Sequence, residues 1–169
     1  MNPAWHVHQG KPPREELPLT FGILLNLASV CNTEDKQVLW GFISRYAPEA
    51  NAKGMPMVDR LLDYAIAYYR DFVKPNKHYR TPTSTEQKAL EDLLQRLQGL
   101  PADPEVIQTE IYEVGKRHNY TNLRDWFKAL YQILLGQDEG PRLGSFFALY
   151  GVDKTIELIE AALQSKKNE

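Results

Sequence analysis

Basic residues interleaved with an aromatic ring single out the stretch Lys74-Pro75-Asn76-Lys77-His78-Tyr79-Arg80. Lys74, Lys77 and Arg80 can neutralise phosphates there while the ring stacks on a base. A solvated loop between two helices would carry the same residues. A second stretch, Gly136-Gln137-Asp138-Glu139-Gly140-Pro141-Arg142-Leu143-Gly144-Ser145-Phe146, places three glycines and a proline between two apolar runs. Arg142 and Ser145 fall just inside the second run. Exposed amides at a helix start, together with an arginine, can receive an anion or an unpaired base edge. Tight turns between helices use the same residues, so the pattern is weak by itself. Trp126 and Tyr150 sit at core-like spacing, where a large ring more often packs than serves as a base platform.

Other chemistry finds little support. The chain has no glycine-rich phosphate loop, no paired metal-ligand motif and no Gly-x-Ser-x-Gly elbow. Its four histidines are His6, His8, His78 and His118. His6 and His8 would share one strand face and could begin a metal site, but no third ligand is evident. Pairs such as Glu91-Asp92 fall on a helix surface, where carboxylates are usually solvated. Cys31 is the single cysteine, which excludes an internal disulfide and a cysteine zinc site. It lies in an apolar run and reads as a buried thiol. The expectation is a chain without a complete enzyme active site, serving chemistry completed elsewhere.

The elements that must hold these residues are helical. Val58, Leu61, Leu62, Ala65, Tyr69 and Phe72 fall on one face of a helix over 57–73, with Pro56 in its first turn. Lys74-Pro75 should end it, because the residue before proline is pushed out of helical geometry. Thr83 and Glu86 have capping-box spacing and open a helix carrying Leu90, Leu93, Leu94 and Leu97. Gly99 and Pro101 close it. Asp103-Pro104 predicts an N-cap and first position for a helix with Ile107, Ile111 and Val114. Leu123, Trp126, Phe127, Leu130 and Leu134 form the next stripe, ending at Gly136. Two helices follow, over 141–150 and 154–165, with Asp153 as the cap of the last. Thr20 to Cys31 and Glu34 to Tyr46 form an earlier pair, with Thr33 as the cap between them.

The fold class is therefore all-α, a multi-helix bundle that is either one body or two small lobes sharing an interface. At 169 residues the chain can bury such a core. Only Trp5-His6-Val7-His8 alternates like a strand. With Lys11-Pro12-Pro13 after it, the segment 1–16 reads as a linker or edge strand from a missing upstream domain, and 17–169 as the helical domain. No run approaches the roughly 20 apolar residues of a membrane span, and no signal-peptide pattern opens the chain, so a cytoplasmic location is the default.

A net charge of −2 conceals uneven placement. Glu86, Glu91, Asp92, Asp103, Glu105, Glu110 and Glu113 face only Lys88 and Arg96. Arg70, Lys74, Lys77 and Arg80 flank the single acid Asp71, and Lys116, Arg117, Arg124 and Lys128 flank only Asp125. One acidic face and two basic patches suit a protein that meets an anionic partner on one side, although a solvated mixed-charge surface gives the same counts.

Three long stretches carry a family resemblance. Leu130 through Gly151, Pro18-Leu19-Thr20-Phe21-Gly22-Ile23-Leu24-Leu25-Asn26-Leu27-Ala28-Ser29-Val30, and Tyr68-Tyr69-Arg70-Asp71-Phe72-Val73-Lys74-Pro75 closely resemble the C-terminal part of class I lysyl-tRNA synthetases. The resemblance runs from about Trp5 to Leu163. It implies an α-helix cage that receives the tRNA anticodon, with the lysine-activating chemistry in an upstream Rossmann-type domain of the parent enzyme. The two ATP-binding signatures of that domain do not occur here, so ATP and magnesium belong to the parent and no cofactor to this stretch. The implied partners are a lysine tRNA and the upstream catalytic domain, with no membrane. Lysine anticodons are rich in uracil, whose reading calls for donors beside an apolar wall. Trp126, Gln137, Arg142 and Ser145 are the candidates by position and chemistry. A free-standing tRNA-binding module and a helical protein-interaction domain remain the alternatives.

Overall fold

The computed structural model describes residues 19–51 and 53–167. The segment expected to form a linker or edge strand, with His6 and His8, lies outside the described residues. Within them the chain forms eight α-helices and no strand. They are α1 (Phe21–Cys31), α2 (Lys36–Tyr46), α3 (Pro56–Tyr68), α4 (Ser84–Leu97), α5 (Pro104–Arg117), α6 (Leu123–Leu130), α7 (Leu143–Tyr150) and α8 (Val152–Lys167).

The starts and stops follow local chemistry. Thr83 and Glu86 form the expected reciprocal capping box. Asp103 accepts from the amides of Glu105 and Val106 ahead of Pro104. Thr20 caps α1 through the amide of Ile23. Two caps differ from expectation. Asp35, not Thr33, caps α2 by accepting from Gln37 at 2.9 Å, while the Thr33 hydroxyl is occupied by the amide of Asp35. Asp153 lies inside the first turn of α8 and pairs with Arg45 at 2.7 Å instead of capping the helix.

One continuous core unites the helices, so the described residues do not separate into two lobes. Its hub is α7, whose Leu143, Phe146, Phe147, Ala148 and Leu149 are all buried. A helix apolar on every side must be enclosed, and α1, α2, α5 and α8 all pack on it. Closest approach comes at Gly144: a Cβ there would stand 2.3 Å from the Pro104 carbonyl oxygen. The glycine amide instead donates to Gln108 Oε1 at 2.7 Å. Any side chain at 144 would drive α5 and α7 apart.

Two helices end in a wide turn. After α3 comes a π turn, Tyr69–Val73, in which the Lys74 amide bonds back to the Tyr69 carbonyl, followed by a 3-10 turn, Lys74–Asn76. Lys74 keeps helical dihedrals and the chain extends only at Lys77, so Lys74-Pro75 does not stop the helix as expected. Proline in a helix clashes with the carbonyl four residues back, and the looser π spacing relieves that contact. The same widening disturbs the helical phase: Tyr69 is buried as expected, but Phe72 is 58% exposed. After α6 a second π turn, Tyr131–Leu135, ends at Gly136 with φ of 70°.

Candidate functional site

The two stretches rich in basic residues and in glycine lie side by side. From Lys77 the chain runs extended across the end of the second π turn. The His78 amide donates to the Gly136 carbonyl at 3.0 Å, and the Arg80 amide to Gln132 at 3.4 Å. The Tyr79 ring packs on Gly136, where a Cβ would stand 3.2 Å from Cε2. Its positive φ and this close ring both call for glycine. The Lys77 ammonium donates to the Ser29 carbonyl, in the last turn of α1, at 2.9 Å. It also sits 5.6 and 5.3 Å from the ring centroids of Tyr69 and Tyr79. A cation at a helix C-terminus between two aromatic faces is electrostatically well placed.

Between these segments and α1 opens a groove of about 600 Å³. Asn26, Lys77, His78 and Gln137 contribute polar groups to it, Asp138 and Glu139 acidic ones, and Tyr68, Phe72 and Val73 an apolar wall. Tyr68 is 45% exposed, and its ring lies 4.9 Å from that of Phe72. Phe21 braces Tyr68 edge-on at 5.9 Å. Among the polar groups, the Asn26 side-chain amide donates to the Gly22 carbonyl at 2.8 Å, and Gln137 Nε2 donates to Asn26 Oδ1. Asp138 Oδ1 accepts from Gln132 Nε2 at 2.9 Å.

The candidate residues fare differently. Lys77 and Gln137 line the groove, and Lys74 is exposed on the 3-10 turn that leads into it. Arg80 is occupied: its guanidinium makes a two-pronged pair with Glu86 at 2.6 and 2.9 Å, and Nε donates to Gln132 at 2.8 Å. Burial pushes the Glu86 carboxyl up, but Arg80 and the Thr83 amide outweigh it and hold the group below the usual carboxylate range. A phosphate would have to displace that carboxylate. Arg142 stands at the N-cap of α7, not inside the helix, and pairs across to Glu105 on α5 at 3.0 Å, away from Asp138 and Glu139. Ser145, half-buried in the first turn of α7, is not among the groove residues.

Trp126 overturns its expected role. It is wholly buried, and its indole donates to the Ile111 carbonyl at 2.9 Å. No face of the ring is open to a base. Two rings open to the groove, Tyr68 and Phe72, went unmarked as platforms, while the ring that was marked, Tyr79, is 54% exposed and lies against Gly136. Spacing carries no signal for Tyr68, which stands three residues after Ala65 and four before Phe72, on the stripe read as core.

Half of the second basic patch is committed. Arg117 and His118 both reach Asp92 of α4, at 3.0 and 3.1 Å, and Lys116 pairs with Glu113. The lone thiol, Cys31, is free and half-buried, and burial pushes its pKa up to about 11. That suits packing, not attack on a substrate. Among the described residues no three His, Cys, Asp or Glu side chains gather as a metal site. Nor is any helix there long and apolar enough to cross a membrane.

Residues 52–163 match the family model described as the anticodon binding domain. The chain belongs to that family. The matched region takes in both walls of the groove except α1. Curated relatives extend the likeness to nearly the whole chain. A lysine–tRNA ligase of Rickettsia bellii is 52% identical over 165 residues, covering 96% of this chain and 32% of the relative. One of Roseobacter denitrificans is 50% identical over 164 residues, covering 96% and 31%, and one of Rickettsia felis 48% over 168 residues, covering 98% and 32%. The chain thus spans about a third of the length of these relatives, in their C-terminal part. No solved structure matches it.

Proposed function

We propose that this chain holds the anticodon loop of a lysine tRNA, as the anticodon-binding part of a class I lysine–tRNA ligase. The observation that carries this reading is the groove itself, where open rings, cations and side-chain amides meet. Unpaired bases would stack on Tyr68 and Phe72. Lys74 and Lys77 would lie along the phosphates, and Gln137 would meet a base edge. Arg80 would hold the loop that carries the lysines, its charge kept on Glu86. Arg142 and Ser145 would be reached only by RNA that continues past the groove toward the first turn of α7.

In the parent enzyme an upstream catalytic domain would use ATP and magnesium to join lysine to the tRNA, in the cytoplasm. No step of that reaction is assigned to the residues of this chain. The test is an electrophoretic titration of the chain with a lysine anticodon stem-loop and with one of scrambled loop sequence. Tighter binding of the lysine loop, weakening as salt rises, is the expected result. Equal binding of both loops, or of neither, would end this reading.

A further inference from the structure

Gly22, Asn26 and Gln137 form a relay of hydrogen bonds with a fixed direction. A backbone carbonyl can only accept, so Asn26 must turn its NH2 toward the Gly22 oxygen, 2.8 Å away. The Asn26 oxygen then faces Gln137, which answers with its own NH2. The polarity of the Gln137 amide is thereby set from the far end of the chain of bonds. Asn26 is 5% exposed, so packing keeps the relay from turning over.

What remains free on Gln137 is the Oε1 acceptor, with one N–H beside it. An amide able to rotate by half a turn serves equally a base edge that leads with a ring N–H and one that leads with a ring nitrogen acceptor. An amide of fixed polarity serves only one of them when the base keeps the same register in its plane. Uracil and cytosine differ at that point: uracil offers N3–H flanked by carbonyl oxygens, cytosine a bare N3 beside an amino group. The rings of Tyr68 and Phe72 border the same groove and can fix the plane of the base.

We infer that Asn26 is a positioning residue that locks Gln137 to accept the N3–H of an unpaired uracil, giving the groove a preference for uracil over cytosine. This rests on the proposed RNA-binding role. Gln137 touches the base, and Asn26 acts only through it.

The test uses the intact chain with two anticodon stem-loops that differ only by uracil-to-cytosine changes in the loop. The wild-type chain should bind the uracil loop about ten- to a hundredfold more tightly. Asn26→Leu, which removes the oxygen that orients Gln137, should bring the two affinities within about twofold. Thermal melts report whether each variant folds. If Asn26→Leu does not fold, Gln137→Met decides, because that half-buried site tolerates an apolar chain of similar length and should lose the preference. A wild-type chain that binds both loops equally, or an Asn26→Leu or Gln137→Met chain that keeps the full gap, overturns the inference alone. A wild-type chain that binds no loop retires the proposed function and this inference with it.

Discussion

The indole of Trp126 lies directly on the backbone of α5 at Gly115: a Cβ at that glycine would stand 2.6 Å from Trp126 Cδ1. With its N–H bonded to the Ile111 carbonyl, the ring is a wedge between α5 and α6. Trp126→Ala should therefore cost about 3–5 kcal/mol of stability and lower the melting temperature by about ten degrees or more. Gly115→Ala should also destabilise, because the rigid indole must move. Calorimetric melts check both. A Trp126→Ala chain that melts like the wild type but loses RNA affinity would return the ring to the binding surface.

Opposite behaviour is expected for Phe72, which is 58% exposed. Phe72→Ala should leave the melting temperature nearly unchanged and remove a stacking contribution of about 1–3 kcal/mol from RNA binding. Fluorescence anisotropy with a labelled stem-loop measures the loss. Undiminished affinity would mean that bases stack elsewhere.

Lys74 and Arg80, so close in sequence, should separate cleanly. Lys74→Gln should flatten the log–log salt dependence of RNA binding by about 0.7 and leave stability alone. Arg80→Gln should leave the slope unchanged but lower the melting temperature, since it strips the pair from Glu86 and the bond to Gln132. Titrations at several salt concentrations, paired with melts, distinguish them.

Acid should unfold the protein through a few identifiable carboxyls. Asp59 is held low by the indole N–H of Trp40 and then by Lys36. At Asp92 burial pushes upward, but Arg117 and His118 outweigh it, as Arg80 does at Glu86. A group whose folded pKa is depressed contributes stability that is complete above its unfolded value and is lost as pH falls through the folded one. Melting temperature should thus hold steady from pH 7 to about 5 and fall below about pH 4. Glu86→Gln, which keeps a capping-box side chain but loses the ion pair with Arg80, should lower stability at neutral pH by about 1 kcal/mol and shrink the acid loss. An acid limb unchanged in that variant would assign the loss to other groups.

Features written into neighbouring residues were legible from sequence. The Thr83–Glu86 box, the Asp103-Pro104 start and the stop at Gly136 each depend on dihedrals and hydrogen bonds within one turn. Phe72 was misplaced because a helical stripe assumes constant spacing, which the π turn at Tyr69–Val73 breaks. Trp126 could not be sorted from its spacing alone, since a core ring and a surface platform share the same positions until the opposing Gly115 is known. The partners of Arg142 and Gln137 were out of reach for a simpler reason: Glu105 and Asn26 lie 37 and 111 residues away along the chain. Only the packed helices bring them together.

The two π turns make the groove sensitive to counting. Each residue of an ordinary helix turns the chain by about 100°, so a deletion that restored regular spacing at Tyr69–Val73 would rotate everything after it against α3. The tolerance of this domain to length changes should therefore be sharply uneven. A residue added in the exposed turn near Asn51 can be absorbed locally, whereas one removed beside Phe72 dials the groove wall out of register while the helices stay intact.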